Sequence, residues 1–347
     1  MKKIITILFA AILMAAMLSA CANTSDSSYS NVQKADGSGS SGNLENSDTS
    51  GKISIVTTLF PEYDWVREIL GDKTEQAELT ILLDNGVDLH SYQPTADDLV
   101  KIANCDMFIY VGGESDEWVE DALGQAENKD MAVISLLDVL GDSVKAEETV
   151  EGMQEEEHEH SHDGEIPEEE KDEHVWLSLR NAQIFCREIA AKLSGIDAKN
   201  KDIYTANADA YIAKLSDLDS KYKTAVSAAD KKTLLFGDRF PFRYLVDDYG
   251  LDYFAAFAGC SAETEASFET ITFLANKVDE LELSSVLALE GAEHKIAETI
   301  ISSTSGKNQK VLTMDSLQST VLDDAENGTT YLTVMEQNLE VLEEALK

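Results

Sequence analysis

The chain has 347 residues, with 66 Asp and Glu against 27 Lys and Arg and a formal net charge of −39. That length exceeds an ordinary single domain of roughly 100–200 residues, so two domains are expected, each able to bury a core. The charge has the wrong sign for a phosphate backbone or an anionic lipid surface, which argues against nucleic acid as a partner, and a field of this sign attracts cations.

Residues 1–20 read as an export signal: Lys2 and Lys3, an uncharged apolar run from Ile4 to Leu18, then small residues. The ending Leu18-Ser19-Ala20-Cys21 resembles the bacterial lipobox, in which the cysteine is acylated and becomes the mature N-terminus. Cys21 is therefore expected to carry a lipid that holds the chain on the outer side of the membrane. From 21 to 51 nearly every residue is Ser, Gly, Asn, Asp or another small or polar type, too little apolar surface to offset the entropy of ordering. This stretch reads as a flexible tether. Cys105, Cys186 and Cys260 are an odd set without CxxC spacing, so neither a disulfide framework nor a cysteine zinc knuckle is indicated; Cys105 and Cys186 lie in apolar segments and read as core.

A first α/β lobe is expected over 52–146. Ile53 to Thr58 is a β-branched strand, Pro61 to Leu70 a helix stopped by Gly71, and Leu79 to Leu83 a second strand. Thr95 with Asp98 forms a capping box for a helix from Ala96 to Ala103. Strand Met107 to Val111, helix Asp116 to Leu123 and strand Ala132 to Leu136 follow. Strands alternating with helices at such short intervals argue for a largely parallel sheet.

Residues 147–173 break the rhythm with an acidic run that carries His158, His160 and His162, read as a solvated loop whose imidazoles and carboxylates collect metal weakly. A helical segment over 174–230 comes next. Within it Tyr204, Ala208, Tyr211, Leu215, Leu218 and Tyr222 recur at intervals of four and three, predicting one long amphipathic helix from Ala198 to Ala228 that bridges two domains. A second α/β lobe is expected over 231–347, with strands at Leu234 to Phe236, Leu251 to Phe257, Val286 to Leu289 and Val311 to Met314. Its helices are placed at Phe242 to Tyr249, Phe268 to Leu281, Ala292 to Ser303 and Tyr331 to Leu346. In such sheets ligands sit beyond the carboxyl ends of strands.

Two of the six histidines stand where that rule puts ligands. His90 follows the second strand in Asp88-Leu89-His90-Ser91-Tyr92-Gln93-Pro94, and His174 closes the acidic segment in His174-Val175-Trp176-Leu177. Neutral imidazoles with carboxylates suit zinc or manganese, whereas calcium takes oxygens only. These two segments, with the acidic histidine-bearing stretch before the second, resemble the solute-binding lipoproteins of bacterial ABC importers for zinc and manganese, over about Lys52 to Lys347. That resemblance implies two small four-stranded lobes joined by one rigid helix, and a metal held between them by four side chains. His90 and His174 would then be the ligands of the first lobe.

In the second lobe the family frame falls on Phe242, Tyr244, Tyr249 and Gly250, but Arg239 occupies the ligand column, and an arginine cannot bind a cation. Asp238 or Glu290 would replace it, and Asp315 falls in the last ligand column. The function implied is a monomeric, lipid-anchored protein without catalysis that delivers zinc, or manganese, to an importer permease. A secreted zinc hydrolase or a surface adhesin is the alternative; the HExxH spacing of the former is absent.

Overall fold

The computed structural model describes residues 51–154, 170–261, 265–291 and 293–347. Cys21, His158, His160 and His162 lie outside them.

Among the described residues eight strands form two sheets of four, and every pairing between these strands is parallel. In the first lobe β1 (Ile53–Thr57), β2 (Ala77–Ile81), β3 (Met107–Tyr110) and β4 (Ala132–Ser135) lie in the order β2-β1-β3-β4. They alternate with α1 (Phe60–Leu70), α2 (Ala96–Asn104), α3 (Trp118–Gly124) and α4 (Leu136–Leu140). The helices α5 (Leu179–Ile196) and α6 (Lys201–Ala228) then lead into the second lobe. There β5 (Thr233–Phe240), β6 (Asp252–Ala258), β7 (Ser285–Leu289) and β8 (Lys310–Met314) repeat the first topology in the order β6-β5-β7-β8. Their helices are α7 (Arg243–Tyr249), α8 (Phe268–Glu280), α9 (Lys295–Ser303), α10 (Leu322–Glu326) and α11 (Tyr331–Ala345). A parallel sheet needs a crossover after every strand, which is why strands and helices alternate so regularly. The five-residue helices α4 and α10 escape the sequence pattern because they are too short to show a period.

The long helix runs as expected and buries Tyr204, Ala208, Tyr211, Leu215, Leu218 and Tyr222 along one face. It does not span open space. It packs along α5 and also against α1 and α11, so one continuous apolar cluster reaches from Ile55 and Phe108 of the first sheet to Phe236 and Tyr331 of the second lobe. Each large side chain buried there contributes roughly 1.5–3 kcal/mol, which resists any rocking of one lobe against the other. Polar contacts across the seam act in the same direction. Trp176, fully buried, donates its Nε1–H to the Ser316 carbonyl at 2.8 Å, and Tyr331 donates its hydroxyl to the Trp176 carbonyl at 2.7 Å. A smaller cluster under α8 and α9 covers the other face of the second sheet.

The acidic segment is not solvated from its first residue. Met153 is buried, Val150 packs on the main cluster, and Gln154 donates its N–H to the Ala256 carbonyl of β6. These two apolar side chains are what draw 147–154 onto the second lobe. Farther along, Lys171 pairs with Ala146 in an antiparallel bridge, which closes the neck of the segment just before His174.

Candidate metal centre

The His90 loop is shaped by its own polar side chains. Asp88 caps the turn Leu89–Ser91 by accepting the His90 N–H on Oδ1 at 3.0 Å, and Leu89 is buried as an anchor. Tyr92 donates its hydroxyl to Asp98 Oδ2, the same oxygen that closes the capping box with Thr95. The loop between β2 and α2 is thus fastened at both ends, and the His90 ring is held rather than free.

His174 is wholly buried. Asp172 accepts both the His174 backbone N–H at 2.9 Å and its ring Nδ1–H at 3.2 Å. Tyr244 from α7 in turn donates its hydroxyl to the Asp172 carbonyl at 2.9 Å. A carboxylate on Nδ1 fixes the tautomer that leaves Nε2 as a lone-pair donor, the usual arrangement behind a metal-bound imidazole. His90 is placed in a similar way: its Nδ1 lies 2.8 Å from Ser115 Oγ and 3.5 Å from Glu173 Oε2.

With each Nδ1 occupied, the two Nε2 atoms face each other at 3.3 Å. Two lone pairs at that distance repel unless a proton or a cation lies between them. The separation also matches the nitrogen-to-nitrogen edge of a tetrahedral zinc site, about 3.3–3.4 Å for bonds of about 2.0–2.1 Å. Burial, and then the neighbouring His174, push the His90 imidazole down to a pKa of about 3, so it is neutral and able to coordinate at neutral pH.

Among the described residues, one group of three side chains has its donor atoms within 4.8 Å of one another: His90, His174 and Cys260. Cys260 stands two residues beyond β6, at the carboxyl end of a strand. Its N–H is held by Glu147 Oε1 at 2.9 Å. Gly259 lets that turn approach, because a Cβ there would sit 3.0 Å from His174 Cε1 and 2.9 Å from the Phe240 carbonyl oxygen. A cavity of about 240 Å³ opens onto His90 and Cys260 and is lined by Glu114, Glu147, Glu170 and Glu173.

The carboxylates expected from the second lobe are not part of this group. Asp238 accepts the Leu289 N–H at 3.1 Å and the Arg239 N–H at 2.9 Å. Glu290 accepts the Ser316 N–H at 2.8 Å and the Ser316 hydroxyl at 2.6 Å. Asp315 accepts the Leu317 N–H at 2.7 Å, and burial followed by repulsion from Glu290 raises it to about 6. Asp315 and Glu290 line a different cavity, with Thr320 and Asp324. Arg239 stands at the end of β5 after a shift of register between Phe236 and Arg239, and its Nη2 pairs with Asp88 Oδ2 at 2.6 Å. His294, within the span expected as a helix from Ala292, adopts φ 56° as the N-cap of α9 and lines a cavity that also reaches His90 and Cys260. Cys260 was legible as a residue following a predicted strand. The absence of CxxC spacing carries no information about a cysteine whose partners are two distant histidines.

The profile of a family described as zinc-uptake complex component A, periplasmic, matches residues 55–345. The chain belongs to this family. It is 30% identical over 312 residues to the high-affinity zinc uptake system protein ZnuA of Bacillus subtilis, covering 89% of this chain and 92% of that one. It is 32% identical over 294 residues to the zinc-binding lipoprotein AdcA of Streptococcus pneumoniae, covering 85% of this chain but 56% of that longer protein. The crystal structure of the Zn(II)-bound ZnuA-like domain of that AdcA superposes with a TM-score of 0.65 at 29% identity, covering 85% of this chain and 99% of the domain. The metal-dependent lipoprotein YcdH of B. subtilis superposes at 0.68 with 27% identity, covering 85% and 100%. The two-sheet fold with its long helix is that of these structures.

Proposed function

We propose that this chain captures one zinc ion outside the cell, on His90 and His174, and hands it to the permease of an ABC importer. The observation that carries the reading is the pair of Nε2 atoms converging at 3.3 Å with both Nδ1 atoms engaged, the separation that a tetrahedral divalent cation bridging two imidazoles requires. The relatives named for zinc uptake and zinc binding give the cargo and the delivery step. Cys21 supplies the lipid anchor and the 21–51 tether the reach. No helix of the described residues is long and apolar enough to cross a membrane. His158, His160 and His162 would feed metal toward the neck of the acidic segment.

Elemental analysis of the chain purified without added metal, followed by competition between zinc and manganese, tests the reading. One equivalent of zinc that manganese does not displace is expected. Purified protein free of zinc that also fails to take up one equivalent on titration would overturn it.

A further inference from the structure

We propose that the Cys260 thiolate is a direct ligand of the captured metal, completing a His90–His174–Cys260 set in place of any ligand at Arg239. The inference rests on the capture reading above and adds to it the donor atom that decides which metal is held.

Three features of the second lobe carry it. The column where the family resemblance calls for a ligand holds Arg239, whose guanidinium is paired with Asp88 at 2.6 Å and whose Nη1 contacts the Ser261 carbonyl at 3.4 Å. The same lobe instead presents Cys260 Sγ within 4.8 Å of a ring nitrogen of each histidine. A sulfur-to-nitrogen edge in tetrahedral zinc is about 3.6 Å, so the Gly259–Cys260 turn has to close on the imidazoles by roughly 1.2 Å from the 4.8 Å limit. The turn is also placed for the purpose: Gly259 lies against the His174 ring, and Glu147 holds the Cys260 N–H. Cys105 and Cys186, by contrast, are fully buried in the core, whereas Cys260 opens onto a cavity.

On binding, the Sγ–metal bond forms as the S–H bond breaks, and the proton leaves to solvent; nothing is oxidised or reduced. A soft thiolate favours zinc and disfavours manganese, which takes carboxylate and water oxygens. The acidic cavity wall then gathers cations in general, and the sulfur selects among them.

The test is cobalt substitution of the full chain. A near-ultraviolet thiolate-to-cobalt charge-transfer band at one equivalent of cobalt is expected, absent from Cys260→Ser. In that variant zinc affinity should fall by more than about tenfold, the least that loss of even an outer-sphere partner costs, while manganese affinity changes little. One equivalent of bound cobalt with no such band in the unaltered chain would overturn the proposal and leave capture by the histidines standing, and this outcome does not depend on the variant folding. Persistence of the band in Cys260→Ser would overturn it as well. An unaltered chain that binds neither cobalt nor zinc would overturn the capture reading, and this inference with it.

Discussion

Arg239 Nη2 lies 2.6 Å from Asp88 Oδ2, joining the end of β5 to the loop that carries His90. Burial acts to raise Asp88, but the Arg239 guanidinium beside it outweighs that and, with the His90 contacts, holds the carboxyl below its ordinary value. The same guanidinium opposes positive charge at His90. Arg239→Met should therefore strengthen zinc binding by roughly 1 kcal/mol, because Asp88 is left as an uncompensated anion near the site. Its cost in stability should stay below about 1 kcal/mol, since both partners are about a quarter exposed. Chelator competition and thermal melting check the two halves; a large loss of affinity would mean that Arg239 positions the loop.

His90→Ala and His174→Ala should each abolish tight one-to-one zinc binding, because each removes one of the two converging nitrogens. They should differ in stability. His90 is partly exposed and its loss should be mild, whereas His174 is fully buried and its removal leaves Asp172 without its imidazole partner, costing on the order of 1–3 kcal/mol. Calorimetric titration beside melting curves separates the effects, and parental zinc binding in either variant would remove that histidine from the site.

Asp172→Ala tests the outer sphere. The carboxylate accepts the His174 Nδ1–H and backbone N–H, so its loss frees both ring and tautomer. Zinc affinity should drop about 10- to 100-fold with the one-to-one stoichiometry unchanged. Tyr244→Phe, which removes the hydroxyl that donates to the Asp172 carbonyl and accepts the Lys145 N–H, should lie between this variant and the parent.

Asp315→Asn should leave zinc affinity unchanged within about twofold, on the order of 0.4 kcal/mol. The asparagine oxygen still accepts the Leu317 N–H, and the repulsion between Asp315 and Glu290 is relieved. Strong weakening in a titration would restore Asp315 to the ligand set that the family resemblance implies.

Asp116 provides a pH test of stability. Burial raises its carboxyl from the ordinary 3.8 to about 7, its Oδ2 accepts the Gly112 N–H, and its Oδ1 has no hydrogen-bond partner. The folded state keeps this proton where the unfolded chain has lost it, so the contribution is complete below about pH 4 and is lost as pH rises through 7. Asp116→Asn cannot ionise, and in the metal-free protein it should flatten the fall of melting temperature between pH 4 and pH 8 relative to the parent. An identical slope in both proteins would show that Asp116 is ionised in the fold.

The order of strands and helices was readable from the chain because it depends on local facts. β-Branched runs, the Thr95 capping box and the spacing of Tyr204, Ala208 and Tyr211 each act within one element. The His90 and His174 segments were readable for a related reason, since each carries its own carboxylate, Asp88 and Asp172, two residues before the histidine. Tertiary structure decided the rest. Nothing near Cys260 in the sequence reveals that it meets two imidazoles, and nothing near Arg239 reveals Asp88, which is 151 residues away. Likewise nothing near Asp315, Glu290 or Asp238 in the sequence reveals that each accepts N–H groups of its own lobe and lies outside the group formed by His90, His174 and Cys260. A period or a cap is set by neighbours a few positions apart, whereas a coordination sphere is set by which strand ends the packed core brings together. That packing is a property of the whole chain, and no single segment encodes it.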